Sequence, residues 1–479
     1  MQDILFQQWG FDGYYVSDCW ALVDFYDGHN IVKNGVEAAS LALNTGCNLN
    51  CGSTYEYLDE AFDQGLIDEK TIDSNFKQLI KTRFKLGMFD PSYLVPFDTI
   101  SKDYIRKDSF VELSKEAATK SIVLLENKND ILPLSKEIKS IYVTGPTAAD
   151  AQILMGNYYG VSENYVTILE GLAAAVSETT KIQYMQGTML NSEGFLGAYW
   201  YENMPRETDV TIACLGISQF IEGEEGEAIA SDFKGDRQSL TLPANQINYL
   251  KKLRENSEKL VVVITGGAAI SIPEIANLAD AVLFVWYPGE QGGNAIADII
   301  FGESNPSERL PVTVYKEVSQ LPAYEDYSME GRTYRYFDEE PLYPFGYGLS
   351  YCQFEYSPLK VSKASFKGDE KITLECTIKN SSDTDGSDVI QLYVKGNRPE
   401  QPNLSLRGFQ KAFLKAGEEK IISFTLNSAD FGFISESGEK ISATGNYEVF
   451  VGNSAPMTGD FTVKGSSTSI KYTSGKKRR

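Results

Sequence analysis

The stretch Trp9-Gly10-Phe11-Asp12-Gly13-Tyr14-Tyr15-Val16-Ser17-Asp18-Cys19-Trp20 decides how the rest of the chain is interpreted. Residues 14–16 predict a short strand, because aromatic and β-branched residues run between Gly13 and a polar break. Asp18 stands where this strand should end, and strand ends carry the chemistry in barrel and α/β enzymes. Taken alone, an aspartate at this place would cap the next turn. The wider sequence favours a catalytic interpretation instead.

Length and composition bound the class of protein. A chain of 479 residues predicts about three domains. The net charge of −22 argues against nucleic acid or an anionic membrane as a partner, and no apolar run approaches the ~20 residues that span a bilayer. Six cysteines cannot form a disulfide scaffold, so we expect buried free thiols. Cys47 and Cys51 lie close in sequence, but the only histidine is His29, so neither a zinc site nor a cofactor is expected.

The first ninety residues predict about two strand–helix units. A helix over 36–43 is followed by a short polar strand at 48–50 and by a longer helix that begins near Asp68, a suitable N-cap. The apolar positions of the longer helix recur at i, i+4, i+7 and i+8, namely Ile72, Phe76, Leu79 and Ile80. Residues 1–8 predict a helix before the first strand and not a secretion signal. Two units cannot close a barrel, which needs eight and about 250 residues.

The middle of the chain predicts an α/β domain over residues 110–351, after a linker at 93–109. Its strands are continuous apolar runs, which are typical of a mostly parallel sheet covered by helices on both faces. The predicted strands are 141–144, 210–215, 260–264 and 281–286, and the predicted helices are 111–122, 167–175, 244–254 and 293–301.

The last part of the chain has a different texture. Residues 357–463 predict a β-sandwich, because short alternating segments are separated by turn signals and no helix is indicated. The predicted strands there include 372–378, 389–394, 421–426 and 447–451. Residues 464–479 are rich in Ser and Thr and end in Lys476-Lys-Arg-Arg, which predicts a flexible tail.

Several motifs resemble glycoside hydrolase family 3, and they follow the family's order over nearly the whole chain. They are Trp9-Gly-Phe-Asp-Gly-Tyr, Val16-Ser-Asp, Asn48-Leu-Asn-Cys-Gly, Ser121-Ile-Val-Leu-Leu-Glu-Asn, Leu132-Pro-Leu, Asp236-Arg to Leu242-Pro, Gly302 to Leu310-Pro, and Pro341-Leu-Tyr-Pro-Phe-Gly-Tyr-Gly-Leu-Ser. The resemblance implies a multidomain α/β protein. Its parts would be a remnant of a TIM-type (β/α)8 barrel at 1–92, an α/β sandwich at 110–351 and a fibronectin type III-like β-sandwich at 357–463. It also implies that the chain is the C-terminal fragment of a longer enzyme.

The resemblance further implies that Asp18 is the catalytic nucleophile. Retaining cleavage of a β-glycoside needs a second carboxyl group about 5–5.5 Å away, and in this family that acid often comes from the sandwich domain. The loop after the 210–215 strand carries four glutamates within six residues, Glu222, Glu224, Glu225 and Glu227. A solvated acidic loop is the alternative for such a run. Aligning Gly223-Glu224 on the family's motif favours Glu224 as the acid, and counting back from Asp236-Arg237 favours Glu225 in second place.

Trp20 is the candidate for substrate binding, because an indole next to the nucleophile can stack on a sugar ring. A wall between two domains is an equal alternative for this side chain. Ser17-Asp18-Cys19 and Leu49-Asn-Cys-Gly resemble the xylosidase-like branch more than the glucosidases, although xylose and glucose both stay open.

The function implied is an exo-acting retaining β-glycosidase that releases terminal xylose or glucose from oligosaccharides. The alternative is a catalytically inactive carbohydrate-binding or scaffolding remnant. The expected partner is an oligosaccharide or glycoside substrate, and assembly into a homodimer stays open. No signal peptide is recognised in the chain, while a periplasmic or secreted location is expected for the full-length parent.

Overall fold

The computed structural model describes residues 1–157, 159–192, 199–222, 237–435, 437–457 and 464–473. The chain divides into two compact units, Met1–Lys107 and Asp108–Arg479. None of the described helices is both long and apolar enough to cross a membrane.

The first unit is mainly helical. After a π-helix at Gln2–Gln8, its α-helices are α1 (Gly35–Asn44), α2 (Leu58–Asp63) and α3 (Glu69–Lys85). Asp68 caps α3 as predicted, because its side chain accepts a hydrogen bond from the Thr71 N–H at 2.7 Å. The strand predicted at 14–16 is reduced to one parallel bridge between Val16 and Leu49.

The apolar face predicted for α3 is present but largely uncovered within this unit. Phe76 is exposed, as are Ile72 and Phe84, whereas the one buried residue of the helix is Asn75. The buried apolar residues of the unit form two small clusters around α1, which contain Val36, Leu43, Ala61 and Ile67, and Leu22, Ala42 and Cys47. The unit is therefore poor in core relative to its apolar content.

The α/β domain opens the second unit. Its strands are β1 (Val123–Asn127), β2 (Ser140–Thr144), β3 (Lys181–Met185), β4 (Val210–Gly216), β5 (Leu260–Thr265) and β6 (Ala281–Trp286). Its helices are α4 (Asp108–Thr119), α5 (Ile168–Ala175), α6 (Ala244–Asn256), α7 (Pro273–Leu278), α8 (Gly292–Ile300) and the short α9 (Thr333–Tyr336). The sheet order is β1-β6-β5-β4-β2-β3, and only β1 is antiparallel to its neighbour.

Two hydrophobic cores cover the two faces of this sheet, which explains why its central strands are apolar at nearly every position. In β5, Val261 and Val263 face the core shared with α4, α5 and α8. The intervening Val262 and Ile264 face the core shared with α6 and α7. Alternate side chains point to opposite faces, so a strand covered on both sides can carry no polar face.

The β-sandwich closes the second unit. Its strands are β7 (Phe354–Tyr356), β8 (Lys360–Val361), β9 (Ser365–Lys367), β10 (Ile372–Asn380), β11 (Gly386–Lys395), β12 (Ser405–Leu414), β13 (Glu419–Leu426), β14 (Gly432–Ile434), β15 (Lys440–Ser442), β16 (Gly445–Gly452) and β17 (Gly465–Thr473). One sheet has the order β13-β10-β7, with β8 also on β10, and the other has the order β12-β11-β16-β17-β9.

The flexible tail predicted at 464–479 is wrong over most of its described part. Residues 465–473 form β17, which pairs antiparallel with β16 and parallel with β9. Ile470 and Tyr472 alternate with exposed polar residues and are buried in the sandwich core. Two buried side chains at alternate positions, together with two partner strands, are enough to order a sequence that is otherwise rich in Ser and Thr.

A buried ion pair joins the two domains of the second unit. Arg309, in the segment that follows α8, pairs with Asp388 of β11, and their side chains are 7% and 1% exposed. Asp388 also accepts a hydrogen bond from the hydroxyl of Tyr356 at 2.7 Å, and Arg309 donates to the carbonyl oxygen of Gly348. The donors around the carboxylate compensate for its loss of water.

Candidate active site

Asp18 lies at the end of the parallel bridge in the first unit. The Ser17 N–H donates to the Leu49 carbonyl at 2.9 Å, which brings the Val16-Ser-Asp motif beside the Asn48-Leu-Asn-Cys-Gly motif. The Asp18 side chain is exposed in this unit and accepts a hydrogen bond from the N–H of Cys19 at 2.9 Å. Asp18 comes two residues after the bridge residue Val16, so it follows the segment where the sequence predicts a strand, although only a single bridge forms there.

Side-chain amides and a hydroxyl hold this turn in place. The hydroxyl of Ser17 is buried and accepts hydrogen bonds from the Cys51 N–H at 3.0 Å and from Asn50 Nδ2 at 3.1 Å. Asn48 accepts a hydrogen bond from the Tyr15 N–H at 2.7 Å and donates to Asn75 Oδ1 at 2.9 Å. The backbone before Asp18 is thus tied to helix α3 through polar groups.

A disulfide joins Cys19 to Cys51, which corrects the prediction that the cysteines are free thiols. The prediction fails for these two and matches the other four, Cys47, Cys214, Cys352 and Cys376, which are free and buried. The reason is the bridge at Val16 and Leu49, which places the two turns that follow it side by side. Cys51 is consequently unavailable as a metal ligand.

Trp20 follows directly and has an unusual backbone. Its φ of +66° lies in the left-handed region, which bulky residues rarely adopt, and its N–H donates to the Cys51 carbonyl at 2.8 Å. The indole is 60% exposed in the first unit. Strained backbone of this kind is concentrated at functional sites, where surrounding contacts maintain it.

The second candidate region lies after β4 in the second unit. Glu224, Glu225 and Glu227 fall within residues 223–236, outside the described residues, as does Asp236. The residues at the two ends of this loop, Glu222 and Arg237, are described. Their side chains face each other, with Arg237 Nη2 at 3.6 Å from Glu222 Oε1.

Glu222, which follows β4, is bound by groups that follow the next two parallel strands of the sheet, β5 and β6. Its Oε2 accepts hydrogen bonds from the Gly267 N–H after β5 at 2.6 Å and from the Tyr287 hydroxyl after β6 at 2.5 Å. The carboxyl ends of parallel strands meet at one edge of the sheet, which is where open α/β sheets bind ligands. The loop that carries the predicted acid therefore begins and ends at this edge.

Tyr287 acts as a hydrogen-bond donor in this cluster. Its burial and the neighbouring Glu222 carboxylate both raise the pKa of the Tyr287 hydroxyl. Sequence reasoning grouped Glu222 with the other glutamates of the loop and missed Gly267 and Tyr287 altogether. The signal in the sequence was that both residues lie close after predicted strands, Gly267 three residues after the strand at 260–264 and Tyr287 directly after the strand at 281–286.

Comparison with known proteins supports the domain assignment. A family model described as the glycosyl hydrolase family 3 C-terminal domain matches residues 122–351, and one described as a fibronectin type III-like domain matches residues 388–455. These matches confirm the predicted α/β sandwich and the predicted fibronectin type III-like domain.

Proteins of similar sequence and structure align with almost the entire chain. It is 30% identical to a xylan 1,4-β-xylosidase of Xylanibacter ruminicola, over 95% of this chain and 70% of that protein. It is also 30% identical to a periplasmic β-glucosidase of Salmonella typhimurium, over 94% of this chain and 63% of that protein. A β-glucosidase structure from Erythrobacter marinus superposes with a TM-score of 0.85 at 29% identity, covering 98% of this chain and 65% of that chain.

The chain thus spans about two thirds of the length of the proteins it matches. The similarity includes the first unit, since the relatives cover nearly all of the chain and not only the two matched domains. On these grounds, the chain belongs to glycoside hydrolase family 3.

Proposed function

We propose that this chain supplies the nucleophile and the general acid of an exo-acting, retaining β-glycosidase that releases a terminal β-linked xylose or glucose. The observation that carries the proposal is the Asp18 turn. An exposed carboxylate stands at the end of a parallel bridge, next to a tryptophan with a strained backbone, and both are tied down by a disulfide and buried polar groups. Such rigid positioning of an exposed acid is what covalent catalysis requires.

In the first step, a carboxylate oxygen of Asp18 attacks the anomeric carbon of the terminal sugar. The bond from that carbon to the glycosidic oxygen breaks, and the departing oxygen takes a proton from the acid, which we assign to Glu224 first and Glu225 second. The products of this step are the shortened saccharide and a sugar esterified to Asp18.

In the second step, the deprotonated acid removes a proton from water. The resulting hydroxide equivalent attacks the anomeric carbon from the face opposite Asp18, and the ester bond breaks. The sugar leaves with its original anomeric configuration, and both carboxyl groups return to their starting protonation states. Two inversions at one carbon account for retention.

We propose further that the first unit is the final part of a (β/α)8 barrel, as predicted for residues 1–92. The uncovered apolar surface of this unit supports the proposal. Val16 and Leu49 of the bridge are 43% and 37% exposed, and α3 leaves its apolar face open. Strands of a barrel have neighbours on both sides, and the outer helices bury their apolar faces against the strands.

The substrate and compartment follow the same reasoning. The relatives named β-xylosidase and β-glucosidase support a pentose or hexose in β-linkage. The Cys19–Cys51 disulfide and the periplasmic relative favour an oxidising compartment outside the cytoplasm, where disulfides persist.

The test is Asp18→Asn in the full-length enzyme, with an aryl β-xyloside and an aryl β-glucoside as substrates. We expect turnover to fall by about three orders of magnitude or more, because the covalent route is lost. Asp63→Asn is the matched control, since Asp63 is an exposed carboxylate of the same unit on α2 and should leave turnover within about twofold.

An Asp18→Asn variant that keeps more than a tenth of the wild-type turnover would refute the nucleophile assignment. If the wild-type enzyme hydrolyses neither substrate yet binds xylo-oligosaccharides, the alternative of an inactive carbohydrate-binding protein replaces the proposal. Mass spectrometry of a trapped 2-fluoro-glycosyl ester on Asp18 would identify the nucleophile directly.

A further inference from the structure

We propose that Glu222 is a positioning residue, which together with Tyr287, Arg237 and the Gly267 N–H fixes both ends of the acid-bearing loop, and that it is not the proton donor. This inference rests on the proposed function, because it presumes that an acid of the same loop protonates the leaving group. It separates Glu222 from the glutamates with which it shares the loop.

The described groups that face the Glu222 carboxylate are hydrogen-bond donors. Its side chain is only 11% exposed. Oε2 already accepts two short hydrogen bonds, from the Tyr287 hydroxyl and the Gly267 N–H, at 2.5 and 2.6 Å. Oε1 faces the guanidinium of Arg237. Among the described residues, all three neighbours are donors, so the Glu222 carboxylate meets them as an acceptor and not as the source of a proton.

The same contacts connect the two ends of the loop to the sheet. Glu222 is the last described residue before the loop, and Arg237 is the first one after it. Tyr287 holds Glu222 from the end of β6, and its ring lies against Gly267 after β5. Glu224 and Glu225 are only two and three residues from Glu222 in sequence. We therefore expect a displacement of Glu222 to affect the position of the proposed acid.

Gly267 is required by the close approach of its neighbours. A Cβ at this position would lie 2.8 Å from Cε2 of the Tyr287 ring and 3.2 Å from Oε2 of Glu222. The first distance is below ordinary contact, and the ring cannot move aside without breaking its hydroxyl contact to the carboxylate. A glycine therefore lets the backbone N–H reach Glu222.

This arrangement predicts an effect that depends on the leaving group. If Glu222 only stabilised the fold, its loss would slow all substrates in parallel. If it positions the acid, its loss should slow those substrates whose leaving oxygen must be protonated and spare those whose leaving group departs as a stable anion.

The experiment compares Glu222→Gln with wild type in the full-length enzyme. We expect kcat/KM for an alkyl β-xyloside to fall about 10- to 100-fold, since a misplaced catalytic group costs rate on this scale. For 2,4-dinitrophenyl β-xyloside the fall should be less than about threefold. Tyr287→Phe, which removes one hydroxyl donor and keeps the ring, should show the same pattern with a smaller amplitude.

Asp280→Asn is the matched control. Asp280 accepts hydrogen bonds from Arg254 Nη1 and from the Leu260 N–H, both at 2.8 Å, at the opposite edge of the same sheet. It is thus a carboxylate bound by an arginine and a backbone amide, as Glu222 is. Its substitution should lower the melting temperature without changing the ratio of the two kcat/KM values.

Two results would overturn the inference. The first leaves the proposed function intact, and the second moves its acid assignment to Glu222. An equal fall for both substrates in Glu222→Gln would assign Glu222 a structural role only. Formation of a β-xylosyl azide by Glu222→Ala in the presence of azide, with none formed by Glu224→Ala or Glu225→Ala, would make Glu222 the acid itself. If no variant of the three glutamates alters the leaving-group dependence, the acid assignment of the proposed function fails instead.

Discussion

The two units carry their candidate chemistry on different kinds of support. In the second unit, Glu222 is bound at the edge of a sheet whose central strands are buried on both faces. In the first unit, Asp18 follows a single parallel bridge, and the longest helix buries only Asn75. Among the described residues, the second unit has three extended hydrophobic cores, two on the α/β sheet and one in the β-sandwich, whereas the first unit has two small clusters.

The difference shows how a turn can be held when the surrounding core is small. A large core fixes backbone by dispersion contacts and by exclusion of water. The first unit instead ties its Asp18 turn by a covalent bond, by the Ser17 hydroxyl and by the Asn48–Asn75 pair. A disulfide and hydrogen bonds of this type involve few atoms, but the loss of any one of them should destabilise the backbone around the Asp18 turn.

The largest loss of stability is expected in the second unit, from removal of the buried Arg309–Asp388 ion pair. Asp388→Ala leaves a buried guanidinium without its partner and should lower the free energy of unfolding by about 3–5 kcal/mol. Denaturant unfolding of the isolated chain measures it. The double variant Arg309→Met, Asp388→Leu should recover most of the loss. Loss below about 1 kcal/mol in Asp388→Ala would contradict the role of the pair.

The second largest loss of stability is expected from removal of the Cys19–Cys51 disulfide. Replacing Cys19 and Cys51 by serine opens a loop with a sequence separation of 32 and should destabilise the first unit by roughly 3–4 kcal/mol. Hydrogen exchange of the α1 amides reports this unit, and the amides of β5 serve as an internal reference that should not change. A reducing agent should weaken protection in wild type and have no further effect on the double variant. Equal hydrogen-exchange protection of α1 in wild type and in the double variant would show that the disulfide does not stabilise the first unit.

A smaller effect is expected from the buried amide of α3. Asn75 donates to the carbonyl oxygens of Leu43 and Thr71, at 3.2 and 2.9 Å, and accepts from Asn48. Asn75→Ala should cost about 1–3 kcal/mol in the same exchange measurement, because it leaves buried polar groups unpaired. Asn44→Ala, which removes an exposed amide bonded to the Leu66 carbonyl, should cost less than about 0.5 kcal/mol. Similar losses of stability in Asn75→Ala and Asn44→Ala would show that burial of the amide makes no difference to its contribution.

The smallest effect is electrostatic. Hydrogen bonds from Lys81 and then Lys85 lower the pKa of the exposed Asp12 carboxyl to about 2. A depressed pKa means that the ion pair stabilises the unit above the ordinary aspartate value of about 3.9 and that this contribution is lost as the pH falls through about 2. Carbon-detected NMR titration should show the low pKa in wild type and a value near 3.9 in the double variant Lys81→Met, Lys85→Met. An unchanged pKa in that variant would exclude the two lysines as its cause.

The sequence was sufficient to predict those helices and strands whose boundaries depend on their own residues. The runs in β4, β5 and β6 are apolar at nearly every position, with Thr211 and Thr265 as the polar exceptions, which is typical of strands covered on both faces. Asp68 defines the start of α3 by a local hydrogen bond. In contrast, β3 and β12 were not predicted, because their side chains are partly exposed and their pairing comes from neighbouring strands.

The site shows the same limit. The position of Asp18 just after an extended segment followed from the residues around it, although the predicted strand is only a single bridge, and its proposed role rests on the family motifs. The Cys19–Cys51 bond could not be read from spacing, because it depends on a parallel contact between segments 32 residues apart in sequence. The separation of Glu222 from its neighbouring glutamates needed Tyr287 and Gly267, which only the folded sheet brings to it.

Strand β17 has a practical consequence for anyone who truncates or tags this protein. It lies between β16 and β9, so cutting the chain at residue 464 would uncover hydrogen-bonding edges on both of those strands at once. Exposed edges of this length recruit other chains and promote aggregation. A purification tag therefore belongs beyond Thr473, and a poorly behaved shortened sample would report this unpaired edge and not a defect of catalysis.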